Sequence, residues 1–244
     1  MSMQNLDSSV RDAIRYFWLT RLNQSTKQGE PEDRDRGSRG AVTGGKQMDG
    51  FVTLVRNLLV ASKVPESCIA VGKQVELPGW FRAEKKWDLV VVHEKQLLAA
   101  VEFKSQVGPS FGNNFNNRTE EALGSATDLW AAYREGAFKP SSRPFLAYFM
   151  LLEDCERSRS PVKPNEPHFS VFPEFKSASY QERYAIMIEK LLRDRVYDSA
   201  CFMTSISDAA DNGGYVEPHA ELTFPKFVTP LVAHVAAICS ANSA

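Results

Sequence analysis

The sequence predicts an α/β or α+β fold in which helices cover both faces of a mixed central β-sheet. Two apolar runs, 89–92 and 97–101, are unbroken by polar residues, as is typical of strands buried on both faces. Segments with helical spacing of apolar residues precede and follow these runs. With 244 residues, 43% of them hydrophobic, the chain is long enough to bury a sizeable core in one large domain over 1–244.

The spacing of apolar residues in the N-terminal part of the chain predicts two helices joined by a polar segment. Residues 8–24 and 46–63 carry apolar side chains at helical spacing. Residues 25–45 mix acidic and basic side chains with several glycines, which favours a mobile loop, although an arm that orders on DNA has the same composition. Asp49 falls in the first turn of the second helix, where the helix dipole favours an acid; the alternative is an acid that faces a metal site.

The remaining segments alternate between predicted strands and helices. Strands are predicted over 73–80, 87–92, 97–104, 144–152 and 200–206. The Gly-, Asn- and Phe-rich stretch 108–117 is predicted to be a loop, followed by a helix over 119–134 that Thr119 caps. Later helices are predicted over 180–195 and 227–239, the last bent at Pro230, with a proline-bearing connection over 158–175 and a turn region over 208–217.

Composition excludes several classes of protein. Lys+Arg 29 against Asp+Glu 30 gives a net charge of -1, so a surface for nucleic acid must be a local patch. The four cysteines lie far apart without a C-x-x-C pair, which indicates neither a zinc site nor a disulfide framework and fits a reducing cytoplasm. The N-terminus lacks signal-peptide features, and no apolar stretch approaches the roughly 20 residues needed to span a bilayer, so no membrane partner is expected.

Charged residues stand at the ends of the two central apolar runs. Asp88 opens the first run, and Glu102 and Lys104 close the second. If the hairpin turn centres on Lys95, Val92 pairs with Leu98, Val90 with Ala100 and Asp88 with Glu102. Opposed residues on one face have Cβ atoms about 5 Å apart, and residues two apart share a face. The register therefore predicts that the two acids and Lys104 lie together.

Two close carboxylates stay ionised only when a cation lies between them. Hard oxygen ligands in small number suit Mg2+, and the carbonyl of Phe103 could add a ligand beside Asp88 and Glu102. Lys104 could then orient the attacking water or stabilise charge on phosphate, and Gln106 continues the same face. This predicts a phosphodiesterase site. An acid followed by E-x-K is also a short pattern, and a buried ion pair between Glu102 and Lys104 remains an alternative.

A second cluster of polar residues follows the second run directly. Asparagine bonds adenine in two places, and arginine bonds guanine or phosphate. Asparagines also adopt turn conformations and cap helices, so both interpretations remain open. The candidate DNA-contacting residues here are Asn113, Asn114, Asn116, Asn117 and Arg118.

The arrangement resembles the PD-(D/E)xK nuclease core. More specifically, WDLVVV, VEFKSQVGPSFGNNFNNRTEEALG and DLWAAYREGAF resemble segments of the XhoI-type restriction endonucleases, and VTGGKQMDGF and PHFSVFPEF extend the resemblance over most of the chain. It implies a restriction-endonuclease-like mixed sheet. Trp87 stands where the motif has proline, a position that carries no chemistry.

The resemblance implies a bacterial cytoplasmic type II restriction endonuclease. Such an enzyme would act as a homodimer on double-stranded DNA at the palindrome CTCGAG, cut after the first C to leave 5' overhangs, require Mg2+, and share its target with a cognate DNA methyltransferase. Asp88 and Glu102 would bind metal, Lys104 would assist the water and Asp49 would be an additional acid. Basic side chains such as Arg82, Lys85, Lys86 and Arg118 would line the cleft. The alternatives are a repair or recombination nuclease on the same core and a DNA-binding protein whose acids are structural.

Overall fold

A computed structural model describes residues 3–28 and 46–241. At its centre lies a five-stranded sheet in the order β1-β4-β5-β6-β7. Strand β4 is antiparallel to both β1 and β5, whereas β5, β6 and β7 run parallel to one another. The mixed sheet predicted from the sequence is confirmed. The sheet strands are β1 Ile69–Val71, β4 Leu89–His93, β5 Gln96–Gln106, β6 Phe145–Glu153 and β7 Ser199–Ser205, and a separate hairpin pairs β2 Glu76–Pro78 with β3 Glu84–Lys86.

Helices pack on both faces of the sheet because alternate strand residues point to opposite sides. Val101 and Phe103 of β5 join the apolar cluster beneath the first two helices and the last. Ala100, which precedes Val101 and points to the opposite side, joins the cluster beneath the third and fifth helices. The helices are α1 Met3–Gln28, α2 Asp49–Ala61, α3 Phe111–Arg134, α4 Glu156–Arg159, α5 Tyr180–Arg193 and α6 Phe224–Ala241.

The β4–β5 hairpin keeps most of the predicted register. Val90 pairs with Ala100 as predicted. The turn is shorter than expected: Glu94 and Lys95 both have positive φ, 49° and 63°, as a two-residue type I' turn requires. A bulge between Val91 and Val92 absorbs the difference, so the predicted pairing of Val92 with Leu98 is wrong and Val92 pairs with Leu97.

The stretch 108–117 is helical from Phe111 onward, so the predicted loop is wrong. Phe111 is 2% exposed and its ring stacks on Tyr180 at 5.7 Å. The buried amide of Gln106 donates to the carbonyl of Phe111 at 3.2 Å. These tertiary contacts outweigh the local preference of Gly and Asn for turns. Thr119 consequently lies inside α3, where its hydroxyl donates to the carbonyl of Phe115, and does not cap the helix.

Other boundaries differ from prediction by a few residues. Only Glu76–Pro78 of the segment 73–80 forms a strand, and β1 and β3 were not predicted. Helix α1 continues to Gln28, into the predicted loop 25–45, and residues 29–45 lie outside the described part of the chain. Helix α6 is long and apolar enough to span a membrane, with mean hydropathy 1.4. Its Phe227, Leu231 and Val235 are fully buried in the apolar cluster against the sheet, as in a core helix.

Candidate active site

The candidate site lies where β5 loses one of its two neighbours. The pairing of β4 with β5 ends at Leu89 and Val101, whereas that of β5 with β6 continues to Gln106. Residues 102–106 therefore form an open edge of β5. The side chain of Asp88 covers part of it, since Oδ2 accepts a hydrogen bond from Phe103 N at 2.7 Å. Because a strand residue directs N–H and C=O to the same side, the carbonyl of Phe103 also faces Asp88.

Glu102 is the most deeply buried charged residue of this edge, at 3% exposed. Its Oε2 lies 2.5 Å from Nζ of Lys85 on β3, and its Oε1 contacts Nζ of Lys104. Lys85 Nζ also lies 4.2 Å from the ring centroid of Trp87. Both carboxylate oxygens of Glu102 are thus bound by ammonium groups. We call Asp88, Glu102, Lys104 and Lys85 the Glu102 cluster.

Helix α3 closes one side of the Glu102 cluster. Glu121 Oε2 lies 3.7 Å from Lys104 Nζ, and Arg118 in turn pairs with Glu121. Tyr148 of β6, paired in register with Glu102, is fully buried on the same face. Its hydroxyl has no hydrogen-bond partner within the described residues. Charged groups therefore extend continuously from β3 across β5 to α3.

Burial and neighbouring charges shift the ionisation of the cluster in opposite directions. Burial, and the repulsion of Glu102, raise the pKa of Asp88 to about 6. Burial by itself would raise the pKa of Glu102, but Lys104 and Lys85 outweigh it and the pKa is lowered. Burial would lower the pKa of Lys104, but Glu102 outweighs it and the pKa is raised. Glu102 is therefore held ionised by two cations, while Asp88 is held near the point of protonation.

The donor set fits a hard cation that keeps most of its water. Within residues 3–28 and 46–241, no three His, Cys, Asp or Glu side chains come together in a group that could hold a metal. Mg2+ is bound through one or two carboxylates together with waters and phosphate oxygens, so two acids and a carbonyl are a sufficient protein contribution. The repulsion between Asp88 and Glu102 is the kind of strain that such a cation relieves.

The structure places Asp49 in a groove between two helices and uses the side chain of Gln106 in internal hydrogen bonds. Asp49 lines an open groove between α1 and α2, together with Asp12 and Tyr16. Among the described residues, no hydrogen bond or ion pair joins Asp49 to the Glu102 cluster. Gln106 is 3% exposed, and its amide is used inside the protein, donating to Phe111 and accepting from the Tyr184 hydroxyl. Its side chain braces α3 and α5 against β5 and is not presented to a ligand.

The predicted DNA-contacting asparagines occupy the first turns of α3. Asn113, Asn116 and Asn117 are exposed, and Asn114 is half-buried. Arg118, one residue further along, ties this end of α3 to the Glu102 cluster through Glu121. The asparagines therefore lie on a helix surface beside the candidate site.

Arg82 is held by a second buried carboxylate. Asp128 of α3, 3% exposed, accepts from Arg82 Nε at 2.7 Å and from the N–H groups of Trp80 and Phe81 at 2.8 Å each. Burial opposes the ionisation of Asp128, but these bonds outweigh it and lower its pKa. We call this set the Asp128 cluster. The guanidinium is therefore committed to the loop between β2 and β3, although part of it stays exposed.

Sequence reasoning missed Lys85, Glu121 and Asp128 as partners of the candidate site. Lys85 was expected to be only one of several basic residues along a cleft, and the contact with Glu102 joins residues 17 positions apart. Asp128 and Arg82 are 46 positions apart. No local motif signals either contact, because both depend on how the β2–β3 hairpin packs on the sheet and on α3.

Comparison with known proteins supports a nuclease assignment. The family model described as Restriction endonuclease XhoI matches residues 27–217. Type II restriction enzyme BstVI of Geobacillus stearothermophilus is 53% identical over 208 residues, covering 83% of this chain and 93% of that protein. Type II restriction enzyme XhoI of Xanthomonas vasicola is 42% identical over 194 residues, covering 79% of this chain and 77% of that protein. Type II restriction enzyme AbrI of Azospirillum brasilense is 45% identical over 170 residues, 69% of this chain and 76% of that protein.

The protein is therefore a type II restriction endonuclease, a nuclease that hydrolyses DNA. Within that class, the chain belongs to the XhoI restriction endonuclease family, which confirms the resemblance read from the sequence. No solved structure matches the chain.

Proposed function

We propose that this enzyme hydrolyses double-stranded DNA at the palindrome CTCGAG, cutting after the first C to leave 5' overhangs, with Mg2+ as its cofactor. One observation carries the chemistry: Asp88, Glu102 and Lys104 meet at the open edge of β5. The target sequence rests on the likeness to XhoI-type enzymes, since a relative named XhoI is 42% identical over 79% of the chain.

Asp88, Glu102 and the carbonyl of Phe103 would hold Mg2+, which supplies an activated water and stabilises charge on the phosphate. Lys104 would orient the attacking water and stabilise charge on the phosphate. Lys85 holds Glu102 in the absence of metal, because its ammonium group occupies one of the two carboxylate oxygens. Burial of Glu102 strengthens each of these electrostatic interactions.

A palindromic target fits a two-fold homodimer with one site for each strand. We propose this assembly, with each chain of 244 residues acting as one domain in the bacterial cytoplasm. A cognate DNA methyltransferase would protect the same target in the host. The exposed asparagines of α3, Asn113, Asn116 and Asn117, lie beside the Glu102 cluster and are candidates for contacts with DNA, with Asn114 and Arg118 supporting them.

The direct test is digestion of two plasmids that differ only in one CTCGAG sequence. With Mg2+, we expect one cut in the plasmid that contains the sequence and none in the other, and no cutting in either with EDTA. Sequencing of the ends should place both cuts after the first C. Smearing or nicking without sequence preference would instead indicate a repair or recombination nuclease. Intact DNA bound by the protein would indicate a DNA-binding protein with structural acids.

A further inference from the structure

We propose that the loop between β2 and β3, residues 79–83, is a rigid DNA-contacting element, and that Trp80 and Phe81 are the side chains that touch the duplex. We call residues 79–83 the aromatic loop. The proposal rests on the proposed function to the extent that the partner is double-stranded DNA. It assigns a contact surface that lies outside the Glu102 cluster and outside the asparagine-bearing start of α3.

Both aromatic side chains of this loop are strongly exposed. Trp80 is 55% exposed and Phe81 is 76% exposed, whereas Trp18 and Trp87 are buried. A single exposed apolar residue is common on protein surfaces and needs no explanation. Two large aromatic residues side by side, at the tip of a hairpin that packs on a candidate active site, form a surface suited to a partner.

The backbone beneath these side chains is fixed. Asp128 accepts hydrogen bonds from the N–H groups of Trp80 and Phe81 and from Arg82 Nε, all between 2.7 and 2.8 Å. A Cβ atom at Gly79 would lie 2.3 Å from Asp128 Oδ2, so the approach requires glycine. A buried carboxylate thus holds both aromatic residues outward. Because the loop is ordered before it binds, little conformational entropy is lost on contact.

The position of the aromatic loop favours DNA as the partner. Phe81 and Lys85 are four positions apart in the sequence, a span of roughly 13 Å in extended chain. Lys85 Nζ reaches Glu102, so the same hairpin extends from the candidate catalytic carboxylate to the aromatic tip. A duplex repeats only every ~34 Å, so one that places a phosphodiester at Glu102 passes the aromatic loop within the same turn.

Charge and shape agree with this partner. Arg82 follows the two aromatic residues directly and, although paired with Asp128, keeps 44% of its side chain exposed, while Lys86 near the base of the hairpin is exposed as well. Positive charge beside aromatic faces is how proteins contact phosphates and bases together, and apolar wedges enter base steps or grooves. A second copy of the same chain, with a net charge of -1, offers no comparable attraction.

The test measures binding of a fluorescent duplex containing CTCGAG by anisotropy, in EDTA so that no DNA is cut. Trp80→Ala and Phe81→Ala should each raise the dissociation constant at least about fivefold. This is a modest value for the loss of an aromatic contact with a base. Phe169→Ala is the matched control, because Phe169 is 89% exposed on a different segment, and we expect its affinity to stay within about twofold of wild type.

DNA should also quench the tryptophan emission of the wild type, and Trp80→Phe should remove that quenching.

The other outcomes overturn the proposal in distinguishable ways. Equal losses for Phe81→Ala and Phe169→Ala, or no loss for either loop variant, would exclude a specific contact. If the loop variants convert dimers to monomers in sedimentation velocity without DNA, the aromatic loop is a subunit contact and not a DNA contact. If wild type binds duplexes with and without CTCGAG equally, the proposed target is wrong, while the loop variants still report on the contact. If wild type binds no duplex at all, both proposals fail.

Discussion

Two buried carboxylates hold the β2–β3 hairpin, and they do so in different ways. Glu102 is 3% exposed and is bound by two lysine ammonium groups, one from the hairpin and one from its own strand. Asp128 is also 3% exposed, but two of its three donors are backbone N–H groups of the aromatic loop. Ammonium groups on long, flexible side chains can leave a carboxylate without disturbing the fold, whereas backbone donors cannot.

The comparison separates a reactive carboxylate from a structural one. Another cation can replace the charge that Lys85 supplies to Glu102, so the Glu102 cluster is suited to metal and phosphate. The donors to Asp128 have no such substitute, so the Asp128 cluster is suited to holding geometry. In both clusters an acid binds a basic side chain from the hairpin. The other donors to that acid decide whether it is suited to binding a metal or to holding the loop.

The largest expected effect comes from Lys104→Met. Loss of the ammonium group beside the reacting phosphate should reduce the cleavage rate by roughly three orders of magnitude or more. Binding of uncut duplex in EDTA should change little, since the substitution removes only one of many charges near DNA. Quenched-flow cleavage and anisotropy measure the two quantities. Lys226→Met, at an exposed pair with Glu221, is the control and should leave both unchanged. A cleavage rate near that of wild type would remove Lys104 from the reaction.

Asp128→Asn should produce the next largest effect, on stability. The asparagine side chain keeps one acceptor oxygen but replaces the other with an NH2 group. At least one of the donors from Trp80, Phe81 and Arg82 then loses its hydrogen-bond acceptor. We expect the free energy of unfolding in urea to fall by about 2–4 kcal/mol. Asp194→Asn, at the exposed pair with Arg193, should change it little. Equal effects of the two substitutions would mean that the Asp128 cluster does not hold the fold.

Asp88→Asn should stabilise the metal-free protein at neutral and alkaline pH. The pKa of Asp88 is raised from 3.8 to about 6, so the ionised carboxylate costs stability above about pH 6, and this cost disappears as the pH falls through 6 toward 4. Asparagine retains an oxygen that accepts from Phe103 N. Urea unfolding in EDTA should show a gain of about 1–3 kcal/mol at pH 8 and a much smaller one near pH 4.5. A loss of stability at pH 8 would contradict this account of the Asp88 carboxylate.

Lys85→Met should have the smallest effect, on metal affinity. Methionine keeps the apolar packing on Trp87 but removes a cation that competes for Glu102. We expect Mn2+ to bind about fivefold more tightly in calorimetry without DNA, an effect typical of one partly exposed charge. Lys86→Met is the matched control on the same strand, since Lys86 is exposed, and its affinity should equal that of wild type. Equal affinity of Lys85→Met and wild type would show that Lys85 does not compete with metal, and no binding by any variant would refute the metal site itself.

The central hairpin could be predicted from the sequence because its alternation and its turn position fix a register. Val90 pairs with Ala100 as predicted, and Asp88 lies against the strand segment that carries Glu102 and Phe103. The two-residue turn could not be predicted, because Glu94 and Lys95 adopt positive φ without the Asn-Gly or Asp-Gly residues that usually signal a type I' turn. The bulge that compensates for this shorter turn was therefore missed as well.

Neither the start of α3 nor the partners of Glu102 could be predicted from local sequence, because both depend on tertiary contacts. The asparagine-rich segment is helical because Phe111 is buried and Gln106 binds its carbonyl, and both are tertiary contacts. Lys85 approaches Glu102 only because β3 folds back over the end of β5. The types of residue in the candidate site could therefore be read from the sequence, whereas their partners depend on packing between elements distant in sequence.

The open edge of β5 has a consequence for the behaviour of the protein in a crowded cell. A strand that loses a neighbour exposes N–H and C=O groups, which invite pairing with a strand of another molecule and so aggregation. Here Asp88 occupies the N–H of Phe103, and Lys85 of β3 lies across Glu102. A charged side chain on such an edge repels an approaching strand. The acid proposed to hold the metal therefore also hinders strand-to-strand aggregation at this edge.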